Sequence, residues 1–231
     1  MEVVVFCAYM AIRGFTCVAT ETSEEAREIA EYITSQAGFQ IPVLDKIQND
    51  WQGQFEYVFS FEVLEHIEHD EIALKSWADL LVDGGQLLIS VPAHIKKWGV
   101  DDAAVGHYRR YERDDLLKKL TAAGFECLYL ETWGFPLSTA IRPFRKMKYK
   151  SFMAEQEANS KSINMAKGSA MSGINRGIEM RLFPILKSYP GIFVMWIFDQ
   201  IQKLFRSTEL GEGYLLIAKK SAINTSNKEI S

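Results

Sequence analysis

Phe55-Glu56-Tyr57-Val58-Phe59-Ser60-Phe61 runs straight into Glu62-Val63-Leu64-Glu65-His66-Ile67, and further on Asp83-Gly84-Gly85 leads into Gln86-Leu87-Leu88-Ile89-Ser90-Val91-Pro92. The first and last of these are apolar runs rich in β-formers, bounded by turn residues and a proline. Such near-continuous runs suit parallel strands buried on both faces. Between them, residues 69–81 carry helical periodicity, stopped by Asp83-Gly84-Gly85. Strand, helix, strand is the βαβ unit, and it sets the fold class.

Outward from this unit the alternation continues. Toward the C-terminus, residues 112–123 read as a helix with Leu116, Leu117, Leu120 and Ala123 on its apolar face and Gly124 at its end. Phe125 to Thr132 reads as a strand, residues 138–206 as helical with several breaks, and Gly213 to Lys219 (GYLLIAK) as a last strand. Toward the N-terminus, Phe15 to Thr20 (FTCVAT) reads as a buried strand. Thr22-Ser23-Glu24-Glu25 starts a helix that runs to about Gln36 and ends at Gly38, and residues 39–44 form a short strand. Residues 3–13 are apolar and suit helix or strand equally. The expectation is an α/β fold: one domain over 1–231 with a doubly wound, mostly parallel sheet. A helical insertion at about 138–206 precedes a last strand suited to an antiparallel edge arrangement, and a polar tail covers 221–231.

Composition narrows the function classes. The 231 residues carry a formal net charge of −4, with a sequence pI near 5.7, which argues against a nucleic-acid binder. Cys7, Cys17 and Cys127 are odd in number, lack metal-ligand spacing and sit among apolar neighbours, which points to buried, reduced thiols. The apolar start lacks a basic region and a small-residue cleavage site, which reads against a signal peptide. No apolar run reaches the roughly twenty residues that span a bilayer. A cytoplasmic protein is expected.

Four constellations bear on chemistry. Glu21 stands at the carboxyl end of FTCVAT, where open α/β sheets bind ligands, and its carboxylate suits a ribose diol. The alternative is an acid favoured by the helix dipole. In Phe61-Glu62-Val63-Leu64-Glu65-His66-Ile67, a helical turn would place Glu62, Glu65 and His66 on one face, fit for acid–base work or a divalent cation. The alternative is a polar loop whose backbone lines a pocket. Asp83-Gly84-Gly85 and the strand after it are mainly a fold element. Finally, Trp98-Gly99 and Gly106-His107-Tyr108-Arg109-Arg110-Tyr111 occupy the loop after that strand. They suit an anionic or aromatic substrate, or else helix capping and packing.

In this order and spacing, from about Ala11 to Phe135 with an echo at Gly211 to Lys219 (GEGYLLIAK), the segments resemble the class I S-adenosylmethionine-dependent methyltransferases. The resemblance implies a Rossmann-like fold and S-adenosylmethionine as cofactor. It implies that Glu21 binds the ribose, that Asp45 lies beside the adenine, and that Phe61 and Glu62 line the methionine end. His66 and His107 are the candidate catalytic bases if the acceptor is an oxygen. Trp98, Arg109, Arg110 and Tyr111 are the candidate substrate contacts, from the family's loop before the next helix. Glu62, Glu65 and His66 look like the metal-binding pattern of ubiquinone-pathway O-methyltransferases, an option set beside a site with no metal. The acceptor is expected to be a small or lipid-like molecule. Glu21, the FEVLEHI turn and the GHYRRY loop are expected to share one edge.

One departure stands out. The family opens with a strand and a GxGxG loop that holds the cofactor, and the last loop glycine would fall near Val4. Residues 1–13 contain no glycine. The sequence reads as truncated at its start, the rival being a degenerate, non-catalytic relative that acts as a binding protein. Either residues 2–7 form a substitute strand, or the sheet is gapped and the cofactor is held weakly or not at all. In the insertion, Arg142, Arg145, Lys146, Lys148 and Lys150 precede the apolar run from Tyr189 to Phe198. That pairing suits either a peripheral membrane contact or a helical cap with a solvated basic face and a buried apolar helix.

Overall fold

The structure, a computed structural model, describes residues 2–144, 146–147 and 183–221. Arg145, Lys148 and Lys150 of the basic cluster and the tail from 222 lie outside the described residues. The chain divides into two compact units, Met1–Trp51 and Gln52–Ser231.

The first unit contains helix α1 (Glu2–Ile12), strand β1 (Ala19–Thr20), helix α2 (Glu24–Gln36) and strand β2 (Val43–Leu44). Residues 2–12 form a helix, so the substitute strand is not made. An apolar run with no polar face is compatible with either state, and here local helical hydrogen bonds satisfy its backbone. The FTCVAT strand shrinks to Ala19–Thr20, which among the described residues pairs only with the equally short β2. Start and stop signals for α2 behave as the sequence requires: the Ser23 hydroxyl accepts from Ala26 N at 3.3 Å, and Gly38 takes a φ of +82° just past the end. Cys7, Ala19, Ala30, Ile41 and Val43 form this unit's small core.

The second unit holds strand β3 (Phe55–Phe61), helix α3 (Asp70–Leu80), strand β4 (Leu81–Pro92), helix α4 (Val100–Val105) and helix α5 (Arg113–Ala122). Strand β5 (Phe125–Trp133), helix α6 (Tyr189–Phe205) and strand β6 (Gly213–Lys220) complete it. Residues 137–144 and 183–186 are also helical. The sheet order is β3-β4-β6-β5. β3 and β4 are parallel, whereas β6 is antiparallel to both β4 and β5. In this sheet β3, β4 and β5 therefore run one way and β6 the other, as the sequence suggested, but β6 lies between β4 and β5 and not at an edge, because it pairs on both sides. Asp83-Gly84-Gly85 proves to lie inside β4, where the register jumps from Phe55 opposite Leu81 to Tyr57 opposite Gln86. Helix α3 has already ended at Leu80, so the glycines make a bulge and not a helix stop.

On one face of the sheet the two central strands are fully buried: Leu87, Ile89 and Val91 of β4 beside Tyr214, Leu216 and Ala218 of β6, each 0% exposed. Leu74 of α3 and Leu116 and Leu120 of α5 are equally buried. Gly213 has no room for a side chain, since a Cβ would strike the Trp133 indole. Together these fix the carboxyl ends of β3 and β4, where the candidate site lies.

Candidate active site

β3 ends at Phe61, paired with Ser90 of β4, and the next residue breaks the strand sharply. Glu62 has φ +53°, a left-handed conformation rare for a residue with a side chain. Its amide donates to the Ser90 carbonyl at 3.0 Å, and the Ser90 hydroxyl donates to Glu62 Oε1 at 2.8 Å. Ser90 thus holds the bend. The chain then makes one 3-10 turn, Leu64–His66, which sends Leu64 and Glu65 inward.

Glu65 is 0% exposed, and among the described residues neither of its carboxylate oxygens has a hydrogen-bond partner. Burial, reinforced by the charge of Glu62, pushes its pKa well above the ordinary carboxyl value. His107 Nε2 lies 3.8 Å from Glu65 Oε1, and the other ring nitrogen, Nδ1, is 3.0 Å from Asp102 Oδ1. The same Asp102 oxygen accepts from Arg110 Nε at 2.9 Å, and Oδ2 accepts from the Gly99 amide at 2.8 Å. Although burial opposes its ionisation, the hydrogen bonds from His107 and Arg110 hold Asp102 down at about 2. An ionised Asp102 orients the imidazole with Nδ1–H toward it, leaving the Nε2 lone pair to accept. His66 packs edge-on against His107 with ring centroids 4.7 Å apart, and burial followed by the His107 charge lowers its pKa.

The structure therefore brings together His66, His107, Glu62 and Glu65. It gives the proposed substrate-binding residues different positions. Tyr111 is 0% exposed, and its hydroxyl donates to Asp70 Oδ2 at 3.0 Å. Arg110, its side chain 4% exposed, is held by Asp102 and donates to the Ala93 carbonyl at 3.1 Å. Arg109 pairs with Asp70 at 2.7 Å. Tyr111 and Arg110 brace the loop from inside, while Arg109, its side chain 27% exposed, lies nearer the surface with the outward aromatic faces of Trp98 and Tyr108, 41% and 39% exposed. For a metal, Glu65, His66 and His107 offer ligand atoms within 4.8 Å of one another, so His107 takes the place that spacing alone gave to Glu62.

Sequence reasoning missed Asp102, Asp70 and Glu212. Asp102 was visible only as an acid in a first helical turn. Glu212, 5% exposed, accepts from Thr139 at 3.1 Å and faces Lys97 at 3.6 Å and Arg142 at 3.9 Å. That contact joins the GEGYLLIAK strand to the helix at 137–144.

In the first unit, Glu21 and Asp45 directly follow the paired strands β1 and β2. Parallel register sets Thr20 opposite Leu44, and the Glu21 amide donates to the Leu44 carbonyl at 2.8 Å. The two acids consequently stand side by side at one carboxyl edge, a placement that fits a nucleoside. Glu21 also serves its helix, since Oε1 accepts from the Ser23 amide at 2.9 Å.

The four-stranded sheet of the second unit, with β3, β4 and β5 running one way, β6 the other and helices between them, has the strand arrangement expected of a class I methyltransferase. The family model described as a methyltransferase domain matches residues 5–130. The chain belongs to that family, the S-adenosylmethionine-dependent methyltransferases of class I. No curated protein matches it. Among solved structures, the S-adenosylmethionine-dependent methyltransferase of Mesorhizobium loti is 14% identical over 93% of this chain and 85% of its own, with a TM-score of 0.51. The cyclase SpnF is 15% identical over 95% of this chain and 72% of its own, with a TM-score of 0.55. Phosphoethanolamine N-methyltransferase 2 of Haemonchus contortus is 16% identical over 93% of this chain and 46% of its own, with a TM-score of 0.51. At such identities the likeness carries the fold alone. A cyclase among these proteins illustrates how one fold supports different reactions.

Proposed function

We propose that this protein transfers a methyl group from S-adenosylmethionine to a hydroxyl or amine of a small or lipid-like acceptor, with His107 taking the acceptor's proton. The observation that carries this reading is the His107–Asp102 pair, in which Nδ1 lies 3.0 Å from Asp102 Oδ1, a contact that favours the proton on Nδ1 and Nε2 as the acceptor. S-adenosylmethionine supplies a methyl group already activated by its sulfonium. The protein's part is then to hold the reactants in line and to remove a proton.

Glu21 and Asp45 would hold the nucleoside, Glu21 at the ribose hydroxyls and Asp45 beside the base. Phe61 and Glu62 would line the methionine end. Asp102 orients His107 and stabilises the imidazolium that forms when Nε2 takes the proton. Burial and the charge of Glu62 raise the Glu65 pKa, which favours its neutral form beside Nε2. Trp98 and Tyr108 are the exposed aromatic faces available to the acceptor.

The test pairs a thermal shift with a transfer assay. S-adenosylmethionine and its demethylated product, at millimolar concentration, should raise the melting temperature. Labelled methyl should pass to a panel of small hydroxyl and amine acceptors, and His107→Gln should lower transfer by about 100-fold or more while keeping the thermal shift. A shift without transfer to any acceptor would favour the non-catalytic binding protein. No shift at all would remove the reading.

A further inference from the structure

Helix α6 is apolar on every side for nearly two turns. Ile192, Phe193, Val194, Met195, Trp196 and Ile197 are consecutive, and each is at least 38% exposed. At about 3.6 residues per turn, six consecutive side chains point all the way round the axis. The helical turn at 183–186 adds exposed Phe183, Ile185 and Leu186. The two pieces make a tight hairpin. The Ser188 amide donates to the Ile185 carbonyl at 3.1 Å, and its hydroxyl caps α6 by accepting from the Gly191 amide at 3.3 Å. A Cβ at Gly191 would clash with the carbonyls of Ile185 and Leu186.

What covers such a surface is decided by its symmetry. A protein groove covers one face of a helix, and docking helices are polar on the other. A helix apolar all round needs an apolar medium all round. Charge agrees with this: from Phe183 to Phe198 there is no acid and one cation, Lys187. The first acid, Asp199, is paired with Lys203 at 2.6 Å. Tyr189, 89% exposed, and Trp196 are the ring types that settle at a membrane–water boundary. The length rules out crossing. Among the described residues, no helix is long and apolar enough to span a membrane. The exposed run rises only about 9 Å, comparable to the depth of the headgroup–acyl boundary.

We propose that the hairpin 183–198 is a monotopic anchor that seats Phe193 and Trp196 in the interface of a phospholipid bilayer. Apolar burial drives the binding, so it survives high salt, and Lys187 reaches the headgroup phosphates on its flexible stem. The anchor does not depend on the methyl-transfer reading, and no methyl donor enters its test.

The full chain is mixed with phosphatidylcholine vesicles in 0.15 M and 0.5 M NaCl and floated on a density gradient. Wild type should float at both salt concentrations. Phe193→Ser with Trp196→Ser should lower partitioning about tenfold or more. Ile72→Ser, an equally exposed apolar site on α3, should leave it unchanged. Vesicles brominated in their acyl chains should quench wild-type tryptophan fluorescence more than that of Trp196→Phe. Circular dichroism checks that each variant is folded. Failure to float, floating without quenching of Trp196, or binding lost at 0.5 M salt would each overturn the proposal. So would a dimer in solution that the double variant turns into monomer while wild type ignores vesicles, which would make a second copy the occupant.

Discussion

Asp102→Asn tests the central electrostatic argument. The Asp102 side chain is 1% exposed and accepts hydrogen bonds from Arg110, His107 and Gly99 at 2.9, 3.0 and 2.8 Å. Its pKa falls from the ordinary 3.8 to about 2, which corresponds to about 2.5 kcal/mol of native-state preference for the ionised form. Asparagine removes the charge and turns one oxygen into a donor, so an N–H now faces another N–H. Arg110, 4% exposed, is left with Glu212 at 3.9 Å as its nearest acid. Breaking a buried pair from one side costs about 3–5 kcal/mol. The two figures together place the loss at about 3 kcal/mol. For a chain of this size that lowers the melting temperature by about 6–12 °C.

The pH dependence separates charge from packing. A depressed carboxyl contributes stability that is complete above its unfolded value and is lost as pH falls through its folded value. Urea unfolding of wild type and Asp102→Asn should therefore show a constant gap from pH 8 to pH 5. The gap should narrow from about 3.8 toward 2. A gap under about 0.5 kcal/mol at pH 7, or one that persists unchanged down to pH 2, would refute the assignment of Asp102 as the ionised anchor of the loop.

Glu65 has the opposite sign: its folded pKa is raised, so its contribution is complete below about 4.5 and is lost as pH rises toward the folded value. Glu65→Gln should then be more stable than wild type at pH 8 and not at pH 4, read by the same unfolding curves. Tyr111→Phe removes the hydroxyl bonded to Asp70 and should cost about 1–3 kcal/mol, seen as a lower urea midpoint with the slope unchanged. His107→Gln should lower kcat by about 100-fold or more with little change in KM. Glu21→Ala and Asp45→Ala should each abolish the thermal shift given by the demethylated cofactor, while melting of the free protein stays near wild type.

The sheet of the second unit was legible because its strands carry a signal that little else imitates. FEYVFSF, QLLISV and GYLLIAK are β-rich runs bounded by glycine or proline, and all three are strands. Where a segment depends on a neighbour, local pattern failed. FTCVAT has the residues of a strand, yet only Ala19 and Thr20 pair, because pairing ends where β2 ends. Residues 2–12 carry apolarity without period, and such a run takes whichever state satisfies its backbone.

The candidate site shows the same division between local and non-local information. That Glu65, His66 and His107 would meet could be inferred from their places after β3 and β4, since parallel strands bring their carboxyl ends to one edge. Which of their neighbours organises them could not. Asp102 reaches His107 only because α4 is six residues long and Gly106, at φ +81°, turns the chain back on itself. Nor could the sequence show that Tyr111 and Arg110 face inward, since both residue types are equally at home on a binding surface. Their burial follows from the pairing of Ala93 with Tyr111, which draws the GHYRRY loop into line with β4. The loop that looked like a substrate contact is therefore braced at its end by Tyr111. What this bracing holds still is His107 on Asp102, beside a carboxyl whose pKa burial raises.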